Sequence, residues 1–183
     1  MEKKKLLLHS CCGPCSTSVI ERLKKDYDLT IFYYNPNIYP EDEYNKRLST
    51  QQEYLIKSNQ NITVIDGTYL DHNLFEQEFK GLENSKEGGA RCEKCLFLRI
   101  KKTAEYAKNN GYDVFTTTLS VSPHKNAELI NKLGNNFAKE YNIEFLESNF
   151  KKQNGFLIST QLSKQYGLYR QQYCGCKYSL PKQ

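Results

Sequence analysis

The chain contains no tryptophan. It also contains no apolar run approaching the ~20 residues of a membrane-spanning helix. Nothing near its start resembles a signal peptide, since Lys3–Lys5 is followed by only three leucines before His9. A soluble, cytoplasmic protein is expected. Gly-x-Gly-x-x-Gly is missing, as are a Walker sequence and a Ser-Gly-Gly ATP loop, so neither an ATP nor a nicotinamide site is expected. No internal repeat, low-complexity tract or linker divides the 183 residues. They suffice for one domain with a real core, spanning 1–183 and carrying an irregular, mobile insertion at about 67–91, where Gly81, Gly88 and Gly89 fall.

An even number of cysteines is missing too. There are seven, at positions 11, 12, 15, 92, 95, 174 and 176, and a closed set of intramolecular disulfides cannot use them all. In a reducing compartment such clusters more often bind metal or perform redox chemistry. Cys12-Gly13-Pro14-Cys15 has the sequence of a thioredoxin-type site at the start of a helix, where the helix dipole favours thiolate. That chemistry leaves five cysteines unused, and Cys11 stands where thioredoxins usually carry tryptophan. A structural zinc ion closed by four thiolates leaves three over. An iron–sulfur cubane also takes four, and four plus three suggests a cubane with one further metal beside it. The side chains of Cys11 and Cys12 are expected to diverge and serve different irons. A lone free cysteine is commonly a core residue. Three tight groups flanked by glycine and polar residues argue against that reading here. Two alternatives stand beside the metal–sulfur enzyme: a thiol–disulfide oxidoreductase using Cys12 and Cys15, and a zinc-stabilised RNA-binding module.

Apolar runs and helical patterns alternate along the chain. Strands are expected at 5–10, 29–34, 62–66, 112–118 and 143–147, and helices at 16–26, 41–58, 95–109 and 126–141. A last helix is expected over 155–173, interrupted near Gly167, with Ser16 available to cap the first. This alternation predicts an α/β fold of three layers, a mainly parallel sheet with helices on both faces. Ligands of such sheets bind outside the carboxyl ends of the strands. Cys11–Cys15, Asn35–Asn37 and Ser120–Lys125 all follow strands, so independent segments point to one rim.

The blocks LLLHSCCGPCS, FYYNPNIYPEDEYNKR, RCEKC, TTLSVSPHKN and LSKQYGLYRQQYCGC resemble, in order, those of the cobalamin-independent epoxyqueuosine reductases (QueH), over about residues 5–179. The resemblance implies reduction of the epoxide of epoxyqueuosine to queuosine at the wobble position of a tRNA anticodon, the last step of queuosine biosynthesis. It implies a fold of the nucleotide α-hydrolase/PP-loop (HUP) type and a [4Fe-4S] cluster with an adjacent mononuclear metal, iron or zinc. It assigns the cluster to Cys12, Cys92, Cys95 and one of Cys174 or Cys176. Cys11, Cys15 and the other of that pair fall to the second metal, so that Cys11, Cys15 and Cys174 are catalytic if Cys176 holds the cluster. Some members carry Asp where this chain has Cys15, and a thiolate there makes the second site softer.

A net charge of +5 suits an RNA partner, here a tRNA anticodon stem-loop. Unpaired bases are recognised by stacking and edge contacts. Tyr169, Arg170 and Tyr173, beside the Cys-Gly-Cys block, are candidates for this, with Tyr44 and Arg47 on the second helix. Tyr44 is equally readable as a core residue. Arg91 and Lys125 are candidates for phosphate, His9 for support of the metals, and His124 reads as structural. Electrons are expected from a separate reduced ferredoxin or flavodoxin, and a monomer is expected.

Overall fold

Leu6, Leu7 and Leu8 divide the molecule into layers. In a strand, successive side chains point to opposite faces. In the computed structural model, which describes residues 2–180, Leu6 and Leu8 enter one apolar cluster and Leu7 the other. These leucines lie in β1 (Lys4–His9), the central strand of a five-stranded sheet. Its neighbours are β2 (Tyr27–Tyr33) and β4 (Val114–Thr117), with β3 (Thr63–Asp66) and β5 (Glu144–Phe145) outermost. The order is β3-β2-β1-β4-β5 and every pairing is parallel.

Helices α1 (Gly13–Leu23), α2 (Glu41–Lys57) and α6 (Gly155–Gln165) gather on one face, where Val19, Ile20, Tyr54 and Leu55 join Leu6 and Leu8. On the other face α4 (Ala90–Asn109) and α5 (Ala127–Tyr141) bring Leu96, Ile100, Ile130 and Phe137 onto Leu7 and Phe115. This is the three-layer α/β fold expected. The winding reverses between β1 and β4, and the crevice at such a reversal is where open α/β sheets bind ligands.

Several boundaries differ from expectation, each for a local reason. α1 begins at Gly13, not Ser16, because Pro14 sits in its first turn, where a missing N–H costs nothing. Ser16 is therefore inside the helix, donating to the Gly13 carbonyl rather than capping. α4 begins at Ala90, so Cys92 and Cys95 both lie in its first two turns. The segment expected to be irregular contains a short helix, α3 (His72–Gln77), anchored by edge-to-face packing of Phe75 on buried Phe79. α6 ends at Gln165, far short of Tyr173. Gly167 adopts φ +61°, and the Gly167 and Leu168 amides return to the Lys164 and Ser163 carbonyls, a helix stop that favours glycine. The chain beyond is freed to run back across α2 and the end of β1.

Candidate metal centre

The rim at the β1/β4 reversal carries a cavity of about 510 Å³, within the roughly 300–1,000 Å³ of ordinary ligand sites. Six of the seven cysteines line it: Cys11, Cys15, Cys92, Cys95, Cys174 and Cys176. The seventh, Cys12, is buried directly behind, its sulfur 3.9 Å from that of Cys11. The sulfurs of Cys11, Cys12 and Cys15 all lie within 4.8 Å of one another. The expected divergence of Cys11 and Cys12 is thus not what the structure has. Strand alternation stops with β1 at His9, and at Cys12 the chain is already turning into α1.

Three elements deliver the sulfurs. Cys12 is the residue preceding α1 and Cys15 lies in its first turn. Cys92 and Cys95 are one turn apart at the start of α4. Cys174 and Cys176 come from the segment after α6, held by buried Arg47, whose Nη1 and Nη2 donate to the carbonyls of Cys174 and Tyr173, each at 3.1 Å. Gly175 between them has φ +127°, and a Cβ there would stand 3.0 Å from Arg47 Nη1. Only glycine meets both conditions without strain.

The sulfurs are supplied with donors. Gln171 Nε2 donates to Cys12 Sγ at 3.0 Å, the Gly88 amide to Cys92 Sγ at 3.2 Å, Lys125 Nζ to Cys174 Sγ at 3.4 Å and the Thr118 hydroxyl to Cys11 Sγ at 3.5 Å. Donors of this kind suit thiolates, and they are among the features that tune metal–thiolate centres. Within the first trio, hydrogen bonding with Cys12 and Cys15 holds the Cys11 thiol well below its ordinary range against the effect of burial. The same bonds push Cys12 up to about 12 and raise Cys15 well above the ordinary value. The donor set, soft sulfur from three converging segments, fits a metal–sulfur group.

Sequence reading missed Arg99 and Gln171, two residues of this wall. Arg99, one turn beyond Cys95 on α4, is 3 % exposed and lines the cavity. Burial works against its charge, and negative charge on the sulfurs of Cys95, Cys174 and Cys11 acts in the opposite sense and prevails. An arginine in the polar part of a helical pattern reads as solvated charge, so only the fold reveals it.

The other named residues separate into groups. Arg47, Arg91, Lys125, Arg170 and Tyr173 line the cavity. Arg91 Nη1 is occupied by the carbonyls of Leu82, Glu83 and Ser85. Tyr169 lies outside the cavity lining, its hydroxyl on Glu43 and its ring beneath Lys46. Tyr44 is buried in a small core with Tyr33 and Ile38, its hydroxyl on Asp66. His124 is exposed on the cavity lining. His9 is fully buried between the Thr117 hydroxyl (2.8 Å) and the Tyr34 carbonyl (3.0 Å). A carbonyl only accepts, so Nε2 carries the proton and Nδ1 accepts from Thr117. Burial, and then Arg99, lower the His9 pKa to about 4, leaving it a neutral strut.

No helix among the described residues is long and apolar enough to cross a membrane. The family model described as Epoxyqueuosine reductase QueH matches residues 6–182. A protein of that name from Staphylococcus epidermidis is 39% identical over 187 residues, covering 100% of this chain and 79% of the relative. One from Acinetobacter baylyi is 43% identical over 178 residues, covering 96% and 80%. One from Thermotoga maritima is 34% identical over 177 residues, covering 96% and 90%. With a matching model over nearly the whole chain and relatives aligned along almost all of it, the chain belongs to the epoxyqueuosine reductase QueH family.

Proposed function

We propose that the protein is an epoxyqueuosine reductase, converting epoxyqueuosine to queuosine at the wobble position of a tRNA anticodon. The observation that carries this reading is the convergence of six cysteines on one cavity at the sheet's switch point, with a seventh behind them, in a chain of this family. Overall, two electrons and two protons enter, both C–O bonds of the epoxide break, a ring C=C forms and water leaves.

Cys12, Cys92, Cys95 and one of Cys174 or Cys176 would hold a [4Fe-4S] cluster. Cys11, Cys15 and the remaining sulfur would hold the adjacent mononuclear metal, iron or zinc. When bound, the pair supplies electrons one at a time and a Lewis-acid position for the epoxide oxygen. The Cys12 sulfur lies within 4.8 Å of those of Cys11 and Cys15, so on this assignment the two sites would adjoin. The protein's own part is to bind, orient and exclude water. Arg170 and Tyr173, on the cavity wall, are suited to stack on the unpaired base. Arg47 holds the Cys-Gly-Cys segment in place, and Lys125 keeps positive charge inside the cavity, where oxygen departs. Electrons would come from a separate reduced protein, a ferredoxin or a flavodoxin.

The test is iron, zinc and acid-labile sulfide per chain, on protein purified without oxygen, followed by an assay on tRNA carrying epoxyqueuosine. Several irons with sulfide and turnover to queuosine are expected. Cys11→Ala should abolish turnover while tRNA binding survives. Zinc alone, or no metal after anaerobic reconstitution, would overturn the reading. A fully active Cys11→Ala would overturn the two-metal arrangement.

A further inference from the structure

Arg99 is a buried cation with too few partners. Of the guanidinium nitrogens, Nη1 donates to Asn35 Oδ1 at 3.3 Å, and Nε has no hydrogen-bond partner. Among the described residues no carboxylate forms an ion pair with it. A buried charge of this kind is costly unless something anionic compensates it. Lys125 makes the case stronger. It lines the same cavity and is near enough to Arg99 for the two positive charges to act on each other. What faces them is sulfur: Cys95, Cys174 and Cys11 around Arg99, and Cys174 against Lys125.

The guanidinium is also aimed. Asn35 Nδ2 donates to the Ser10 carbonyl at 2.8 Å, which turns Oδ1 toward Arg99. Ser10 and Asn35 follow β1 and β2, so the rim of the sheet fixes the group. Placed one turn after Cys95, Arg99 stands on the cavity wall beside the sulfurs.

We propose that Arg99 is a positioning residue of the metal centre: held by Asn35, its guanidinium supplies the buried positive charge and free N–H that an anionic thiolate-ligated metal group requires, and so raises that group's reduction potential. This rests on the reading above. The direction follows from charge. Each added electron makes the centre more negative, so a fixed cation beside it favours the reduced state. Hydrogen bonds to sulfur act in the same sense.

The experiment compares wild type with Arg99→Met, Arg99→Gln and Arg99→Lys, all full-length and reconstituted anaerobically with iron and sulfide. Iron per chain, resistance of that iron to a chelator, and midpoint potential by reductive titration are read on each. Arg99→Met should hold iron roughly 10-fold or more less tightly and titrate at a more negative potential. Arg99→Gln, which keeps an N–H donor without charge, should also shift negative, by less than Arg99→Met. Arg99→Lys should restore part of it. If circular dichroism finds Arg99→Met unfolded, Arg99→Gln carries the comparison. Wild-type iron content with an unchanged midpoint in the uncharged variants would overturn the proposal. Wild type that takes up no iron would overturn the reading beneath it, and this proposal with it.

Discussion

Arg47 and Gly175 are dependent on each other at the scale of single residues. Arg47 is 2 % exposed, paired through Nε with Glu43 at 2.7 Å and bonded to the carbonyls of Tyr173 and Cys174. Arg47→Met would leave the largely buried Glu43 carboxylate without its cation and two carbonyls without donors. Breaking a buried pair from one side costs about 3–5 kcal/mol, and urea denaturation of the variant should find a loss of that order. Gly175→Ala places a Cβ against that same guanidinium at φ +127°. A non-glycine residue in such a conformation costs on the order of 1–3 kcal/mol. The strain falls on the loop carrying Cys174 and Cys176, so iron retention after reconstitution should drop more than global stability does. Equal, small losses in both measurements would contradict this. The cysteines were legible in the sequence because their chemistry is their own. Arg99 and Gln171 were not, because a polar side chain acquires a role only from what the fold sets against it.

At the scale of elements, alternation of apolar runs with helical patterns was enough to name five strands, their parallel arrangement and the helices that cover them. The ends were harder to read. Gly13-Pro14 looks like a helix breaker, yet proline is well tolerated in a first turn, and α1 starts there. The helical pattern past Gly167 persists in residue types, but the positive φ at that glycine ends α6 and releases the chain toward the cavity. The α5 start shows a cap that does hold. The Asn126 side chain accepts from the amides of Glu128 (2.9 Å) and Leu129 (3.2 Å). Asn126→Ala should cost about 1 kcal/mol, within the range for lost caps. Asn126→Asp, which still accepts and places negative charge at a helix N-terminus, should lose little. Denaturant midpoints for the pair would separate capping from mere side-chain removal, and equal losses would dismiss the cap as a contributor.

For the whole molecule, four buried tyrosines tie the layers to pH. Tyr54 belongs to the cluster beneath α1 and α2, Tyr34 to the cluster beneath α4 and α5, and Tyr33 and Tyr44 to the small core beside them. Burial is the main reason each phenol is raised far above its ordinary value of about 10. Asp71, Asp66 and Glu21 add to the effect at Tyr34, Tyr44 and Tyr54. Above that ordinary value the unfolded chain releases these protons and the folded chain keeps them, so the folded state binds more protons and stability falls as pH rises. Below it both states are protonated and the difference vanishes. Each such group contributes about 1.4 kcal/mol per pH unit above its unfolded value, so four together make alkaline unfolding steep. Tyrosinate absorbance and far-ultraviolet circular dichroism, followed together from roughly pH 9 to 12, should show the buried tyrosines ionising only as helix is lost. Tyr54→Phe removes one titrating group from the apolar face without disturbing a short hydrogen bond, since its hydroxyl lies 3.4 Å from Glu21. That variant should lose stability less steeply in alkali by about one group's share. If all 14 tyrosines ionised smoothly while the helical signal held, or if Tyr54→Phe left the slope unchanged, burial would not be what governs these phenols.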